Sequence, residues 1–300
     1  MDLRELLGGI LPAERIRTAE PMARHTTFGV GGPADWFLMP ETAEEIAAAV
    51  KKLHAEGVPI FILGGGADLL VRDKGIRGAV IWTGKCSGVK ISETVVTAFA
   101  GTPTALVAKT AADAGLSGLE FAAGIPGTIG GAAFMNAGAF DGDMSKIVKT
   151  VTACDENGEI HIYKNEELDY AYRHSRFMEK PEMILEIEME LTRGNREDIE
   201  AKTALFQKKR RDTQPLQYKS AGSTFKRPDG VAAAQLIDEA GLKGFSVGDA
   251  AVSEKHAGFI INRGHATAAD ILEVMETVRA RVSEIYGIEL SPEVRIIGEE

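Results

Sequence analysis

The chain has 300 residues, 44% of them hydrophobic, with a formal net charge of -10. That length lets one large domain or two ordinary ones bury cores of their own without disulfide or metal staples. The acidic balance argues against general nucleic-acid binding, which rests on a basic surface. Cys86 and Cys154 lie far apart, with no CxxC or Cys/His spacing, as expected of two buried thiols in a reducing cytosol. Asp2, Arg4, Glu5, Glu14 and Arg15 interrupt the apolar residues at the start, so no signal-peptide core is read and a cytoplasmic location is expected.

In chain order, Thr42 and Glu45 have capping-box spacing, Ile46, Val50 and Leu53 share a face, and Gly57 follows, which predicts a helix over 42–57. A buried strand is read over 58–63, running into Gly64-Gly65-Gly66, with a second strand at 69–71. Thr102-Pro103 opens another helix that closes near Gly115. Residues 121–140 carry no charge and have the length of a membrane span. Gly124, Pro126, Gly127, Gly130, Gly131, Asn136 and Gly138 instead make them a buried loop system, and no membrane insertion is expected. Strands at 151–154 and 160–163 flank Asp155-Glu156-Asn157-Gly158 as a hairpin. Leu185, Ile187, Met189 and Leu191 alternate with Glu186, Glu188 and Glu190, which predicts a strand with one buried face. A helix over 197–211 ends in Lys208-Lys209-Arg210-Arg211, and helices near 231–240 and 267–286 follow. The change of pattern places a boundary near residue 195.

The Gly64 to Asp68 loop brings backbone N–H groups close to a phosphate with no Cβ in the way. It is no P-loop, because no Lys-Ser or Lys-Thr follows, and no dinucleotide fingerprint, because Leu69-Leu70-Val71 resumes strand. A tight turn between strands explains it equally well. With Gly124 to Gly131 and Asn136-Ala137-Gly138 it could grip a long diphosphate from two sides; a structural glycine crossover competes with that reading. Arg173, in Tyr172-Arg173-His174-Ser175-Arg176, suits bidentate binding of a carboxylate or else is a solvated loop cation. Ser223 lies in a turn-like Gly-Ser-Thr segment with no nucleophile elbow, where a hydroxyl usually bonds backbone. Glu293 reads as a surface carboxylate, and the basic run either meets a diphosphate or offsets its helix dipole. The histidines show no metal-ligand spacing, so no metal site is expected.

Taken together, His25-Thr26-Thr27-Phe28-Gly29-Val30-Gly31-Gly32, the Gly64 loop, Gly124 to Gly131, Asn136-Ala137-Gly138-Ala139, Tyr172 to Phe177, Ala221-Gly222-Ser223-Thr224-Phe225-Lys226 and Pro292-Glu293-Val294-Arg295 resemble the UDP-N-acetylenolpyruvoylglucosamine reductase (MurB) family of peptidoglycan synthesis. The segments occur in family order over about residues 20 to 298. The resemblance implies an α+β fold: an FAD-binding region of the vanillyl-alcohol oxidase/p-cresol methylhydroxylase type, with two α+β subdomains, and a smaller α+β substrate-binding domain. The expected division is a lead-in over 1–20, the FAD-binding domain over 21–195 and the substrate domain over 196–300. The short span between Arg173 and Ser223 resembles the class that lacks an inserted tyrosine loop.

By the same resemblance, NADPH reduces FAD, hydride passes from flavin N5 to C3 of UDP-N-acetylglucosamine enolpyruvate, and Ser223 protonates C2, with Arg173 and Glu293 activating the carboxylate. The FAD contacts it implies are Leu63, Gly64, Gly65, Gly66, Ala67, Asp68, Leu69, Ala123, Gly124, Pro126, Gly127, Thr128, Gly130, Gly131, Asn136 and Gly138. Substrate contacts are expected from Arg211, Lys226, Arg227, His256, Asn262 and Arg295. A monomer or weak homodimer is expected. Ala67-Asp68 departs from the family's usual Ser-Asn: Ala67 has no hydroxyl to donate, and an ionised Asp68 would repel a diphosphate. An FAD-dependent oxidase of the same fold and a non-catalytic flavin- or nucleotide-binding sensor are the alternatives, but a sensor has no need to keep Arg173, Ser223 and Glu293 together.

Overall fold

A computed structural model describes residues 2–180, 182–228 and 230–300. The elements in chain order are α1 (Leu3–Leu6), β1 (Ile16–Pro21), β2 (Pro33–Leu38), α2 (Ala43–Ala55), β3 (Ile60–Leu63), β4 (Leu69–Val71), β5 (Ile76–Trp82), β6 (Val89–Ser92), β7 (Val95–Phe99), α3 (Thr104–Asp113), β8 (Leu116–Ser117) and α4 (Ile129–Phe134). There follow β9 (Gly138–Ala139), β10 (Gly142–Asp143), β11 (Val148–Cys154), β12 (Ile160–Lys164), β13 (Met183–Glu190), β14 (Thr192–Arg193), α5 (Arg196–Thr213), β15 (Lys219–Ser220), α6 (Ala233–Glu239), β16 (Ser246–Val247), β17 (Ala250–Val252), β18 (Ile260–Asn262), α7 (Ala268–Tyr286) and β19 (Arg295–Ile297). The fold is α+β. It divides into two compact units, residues 1–18, 36–65 and 78–209 in one and 19–35, 66–77 and 210–300 in the other. The units are interleaved in sequence.

The first unit holds two cores. In one, Ile46, Val50 and Leu53 of α2 pack with Leu38, Ile81, Cys86, Cys154, Met183 and Leu185. Helix α2 begins as its spacing predicts: the Thr42 hydroxyl accepts the Glu45 N–H at 3.2 Å. The Glu45 carboxylate turns instead to the Glu41 N–H and to Arg15, so only half of a capping box forms. In the other core, Val107 and Ala111 of α3 and Ile129 and Ala133 of α4 pack on a five-stranded antiparallel sheet of order β12-β11-β13-β7-β6. The β11–β12 hairpin pairs Cys154 with Ile160, and the Asp155 carboxylate accepts the N–H groups of Asn157 and Glu159 in its turn. Desolvation pushes both thiols up to about 11, so they stay protonated.

Strand β13 alters the simple alternation. Ile187, Met189 and Leu191 share the α3/α4 core, but Leu185 faces the α2 core. The register with β11 shifts between Thr152–Glu186 and Ala153–Ile184, and the extra residue in β13 turns its upstream part over. Strand β3 also departs from expectation: it is an edge strand beside β5, and Ile62 is 37% exposed rather than buried.

In the second unit, Ile271, Val274, Met275, Val278 and Val282 form one face of α7 and bury it on Leu236, Ile237, Ala250, Val252 and Ile260. Phe28, Val30 and Leu70 complete this core from distant segments. The sheet runs β15-β18-β17-β16, all antiparallel, and β4 pairs in parallel with β19, Leu69 beside Arg295 and Val71 beside Ile297. Helix α7 carries the Thr267/Asp270 capping box and ends at Gly287, φ 67°. Its first N–H groups, on Ala268 and Ala269, also donate to the Asp73 carboxylate at 2.9 Å each. Residues 66–77 belong to this unit through that cap and the β4–β19 pairing. No helix is long and apolar enough to cross a membrane among the described residues, and the 121–140 stretch holds only the six-residue α4 as α-helix.

Candidate active site

The first unit brings the two glycine segments together. A Cβ on Gly65 would lie 2.4 Å from the Gly127 Cα, and one on Gly64 would lie 2.5 Å from the Thr128 hydroxyl, so glycine is required there for loops to meet backbone to backbone. Gly127 has a φ of 101°, and Gly130 packs on Ala100, where a Cβ would stand at 2.6 Å. The N–H groups of Ile129 and Gly130 donate to the Thr102 and Ala100 carbonyls, so the start of α4 is satisfied by protein. Gly131 differs. It is exposed, and a Cβ there would meet nothing nearer than the Thr128 hydroxyl at 3.6 Å.

In the second unit, the first loop continues through Gly66, φ 60°, whose carbonyl accepts the Thr27 N–H at 2.9 Å. A Cβ on Gly66 would strike the His25 carbonyl. The Gly66 and Ala67 N–H groups have no protein acceptor among the described residues, leaving two adjacent donors for an anion. These residues fit a diphosphate group of FAD through backbone, which does not need the hydroxyl that Ala67 lacks. The ordering role of Thr27 was not apparent in the sequence, since a Thr in a Gly-rich stretch gives no signal of which carbonyl it will reach.

Arg173 sits at the tip of a two-residue turn closed by reciprocal backbone bonds between Ala171 and His174. Its φ of 52° is left-handed, a conformation that favours glycine at this turn position. The guanidinium lies 5.1 Å from the Tyr172 ring centroid and donates at 3.5 Å to the Gly138 carbonyl. The base of the turn is tied to the exit of α4: Asn136 Nδ2 donates to the Ala171 carbonyl at 2.9 Å, and the fully buried Ser175 hydroxyl donates to that of Phe134 at 2.6 Å. Gly138 is small because its hairpin folds back on Gly142 and Asp143, where a Cβ would stand 2.7 and 2.8 Å from their atoms.

The segments that carry Ser223 and Glu293 pair through backbone in the second unit. Between them is Thr224, fully buried, whose carbonyl accepts the Glu293 N–H at 2.8 Å, while Lys226 N–H donates to Ser291 and Phe225 bridges Pro292. The Thr224 N–H donates to Gly258, and its hydroxyl accepts the Ile260 N–H at 3.2 Å. Gly222, φ 79°, turns the chain so that Ser223 is exposed while Thr224 is buried. The expected turn serine is thus rigidly held without using its own hydroxyl in any described bond.

The remaining expected contacts separate. Asn262 is buried, and its amide serves backbone: it donates to Phe28 and accepts from Gly264 and Ala266. His256 Nδ1 accepts the Gly258 N–H at 3.2 Å, and burial lowers its pKa, against a backbone hydrogen bond and with help from Lys243. That burial disfavours the charged form of its imidazole. Partial desolvation lowers the Arg295 pKa while Asp68 opposes that shift, and the Arg295 N–H donates to the Asp68 carbonyl. The Asp68 charge is thus offset by Arg295, which moderates the repulsion expected of it. Arg211 and Arg227 are exposed and Lys226 is half-buried. Arg211 offers its carbonyl to Lys255 Nζ at 2.6 Å.

A family model described as an FAD binding domain matches residues 34–163, and one described as the C-terminal domain of UDP-N-acetylenolpyruvoylglucosamine reductase matches residues 214–297. The curated UDP-N-acetylenolpyruvoylglucosamine reductase of Syntrophomonas wolfei is 47% identical over 291 residues, covering 97% of each chain. The chain belongs to the UDP-N-acetylenolpyruvoylglucosamine reductase family. A crystal structure of the family's enzyme from Thermus caldophilus superposes with a TM-score of 0.81 at 38% identity, over 92% of this chain and 97% of that one. A variant of Phl p 4 described as a glucose oxidase superposes with a TM-score of 0.51 at 15% identity, over 65% of this chain and 45% of its own, and shows a shared fold alone. The match to the FAD binding domain lies wholly before α5.

Proposed function

We propose that the chain reduces the enolpyruvyl group of UDP-N-acetyl-3-O-(1-carboxyvinyl)glucosamine to give UDP-N-acetylmuramate in the cytoplasm, with FAD as cofactor and NADPH as reductant. The observation that carries this reading is the backbone pairing of the Ser223 and Glu293 segments through Thr224, with Ser223 exposed. In functional terms, residues 21–195 bind FAD and residues 196–300 bind the nucleotide sugar. Gly66 and Ala67 hold the FAD diphosphate through their N–H groups, and Gly131 leaves room beside α4.

When bound, reduced FAD supplies hydride to C3 of the enolpyruvyl group. Negative charge then builds on C2 and the carboxylate. Arg173, a permanent cation, and Glu293 engage the carboxylate, and fixed groups of this kind lower the barrier because they need no reorganisation. Ser223 gives its proton to C2. An alkyl hydroxyl is a weak acid in water, so the role depends on a fixed position against a strongly basic carbon rather than on a matched pKa. Arg211, Lys226, Arg227 and Arg295 supply cations for the diphosphate.

Ser223→Ala separates the half-reactions. In stopped-flow absorbance, NADPH should bleach the bound flavin of the variant as in the wild type, and the enolpyruvyl nucleotide should reoxidise it about 10²-fold or more slowly, the range for loss of a general acid. Undiminished single-turnover reoxidation would remove Ser223 from the mechanism.

A further inference from the structure

The geometry points to Asn136 as a positioning residue for Arg173, acting through the base of the Tyr172–Arg173 turn. Asn136 is 6% exposed and has a φ of 43°, a left-handed conformation that asparagine tolerates better than most residues. Its carboxamide makes two bonds that only an amide can make together. Nδ2 donates to the Ala171 carbonyl at 2.9 Å, and Oδ1 accepts the Ser145 N–H at 2.9 Å. The donated bond lands on the first residue of the four-residue turn, and the Ser175 bond to Phe134 lands just after it. Both ends of the turn are therefore tied to residues 134–136, and Arg173 at its tip is held in a backbone conformation that an arginine does not adopt freely. Both polar atoms of the Asn136 side chain are bonded to protein, so the turn accounts for its place in the site without the cofactor. A guanidinium must meet a carboxylate in a fixed fork geometry, which makes its placement sensitive to this clamp.

The inference rests on the proposed role of Arg173, and three variants separate the two. Asn136→Asp keeps the acceptor for Ser145 but cannot donate to Ala171, and Asn136→Gly keeps the backbone conformation without the side chain. Arg173→Ala removes the group being positioned. Binding of UDP-N-acetylmuramate to the FAD-loaded proteins is measured by calorimetry, with flavin content, thermal midpoint and single-turnover reoxidation measured alongside. The expected result is that both Asn136 variants keep their flavin and weaken product binding and slow reoxidation about tenfold or more, the scale of a small misplacement at a reacting centre. Combining either with Arg173→Ala should cost no more than Arg173→Ala alone. Unchanged product affinity in Asn136→Asp, loss of flavin from it, or additive losses in the double variants would overturn the inference. If Arg173→Ala itself binds product as tightly as the wild type, the role proposed for Arg173 fails instead. Should Asn136→Gly not fold, Asn136→Asp decides the matter.

Discussion

At the scale of single residues, the glycines that look alike in sequence have different reasons to be small. Gly65 and Gly130 are excluded from carrying a Cβ by neighbouring protein atoms, whereas Gly131 is open. Close packing thus accounts for Gly65 and Gly130 but not for Gly131. Gly65→Ala should destabilise the protein with or without FAD by about 1–3 kcal/mol, because the Gly127 backbone cannot move aside as a flexible side chain would. Gly131→Ala should stabilise the apoprotein by up to about 1 kcal/mol through helix propensity and weaken FAD binding if the flavin packs there. Urea unfolding of apoprotein and a fluorescence titration with FAD report the two effects separately; Gly131→Ala with unchanged FAD affinity would place the cofactor elsewhere. Ser223 shows the limit of reading one residue. Its neighbours Gly222 and Thr224 fix it, but Thr224 does so through Gly258, Ile260 and Glu293, partners dozens of positions away.

At the scale of elements, periodicity and punctuation located most helices and strands because those signals are local. The spacing of Ile271, Val274, Met275, Val278 and Val282 makes one buried face of α7, and the Thr267 cap and Gly287 bound it. Strand β13 shows what such signals miss. The bulge at Leu185 depends on how β11 pairs across from it, and alternating residues alone cannot report a partner's register. The second N-terminal cap of α7 is of the same kind, since Asp73 lies far upstream. Asp73→Ala removes two charge-assisted hydrogen bonds to Ala268 and Ala269 and should lower stability by about 1–3 kcal/mol. Chemical denaturation checks this: a change within experimental error would mean that Thr267 and Asp270 hold the helix start unaided.

At the scale of the whole molecule, a bound cofactor stabilises the folded state by mass action. FAD at about 100 times its dissociation constant should raise the unfolding free energy by about 2.7 kcal/mol and shift the thermal midpoint upward by several degrees. Calorimetry of the apoprotein with and without FAD tests it, and an unmoved midpoint would overturn FAD as the ligand. The amino-acid sequence by itself determined the placing of most helices and strands and, through seven separated segments, the family, which implied the α+β class. These are properties of local spacing and residue identity. Only the tertiary structure decided that residues 19–35 and 66–77 belong with 210–300, which core Leu185 enters, and which glycines face protein rather than open space. It also decided that Asn262 serves backbone, that Asp68 is offset by Arg295, and that Asn136 braces the Arg173 turn. Each of these depends on a partner brought close by folding, and a hydrogen bond or a Cβ clash exists only once both of its atoms have a place.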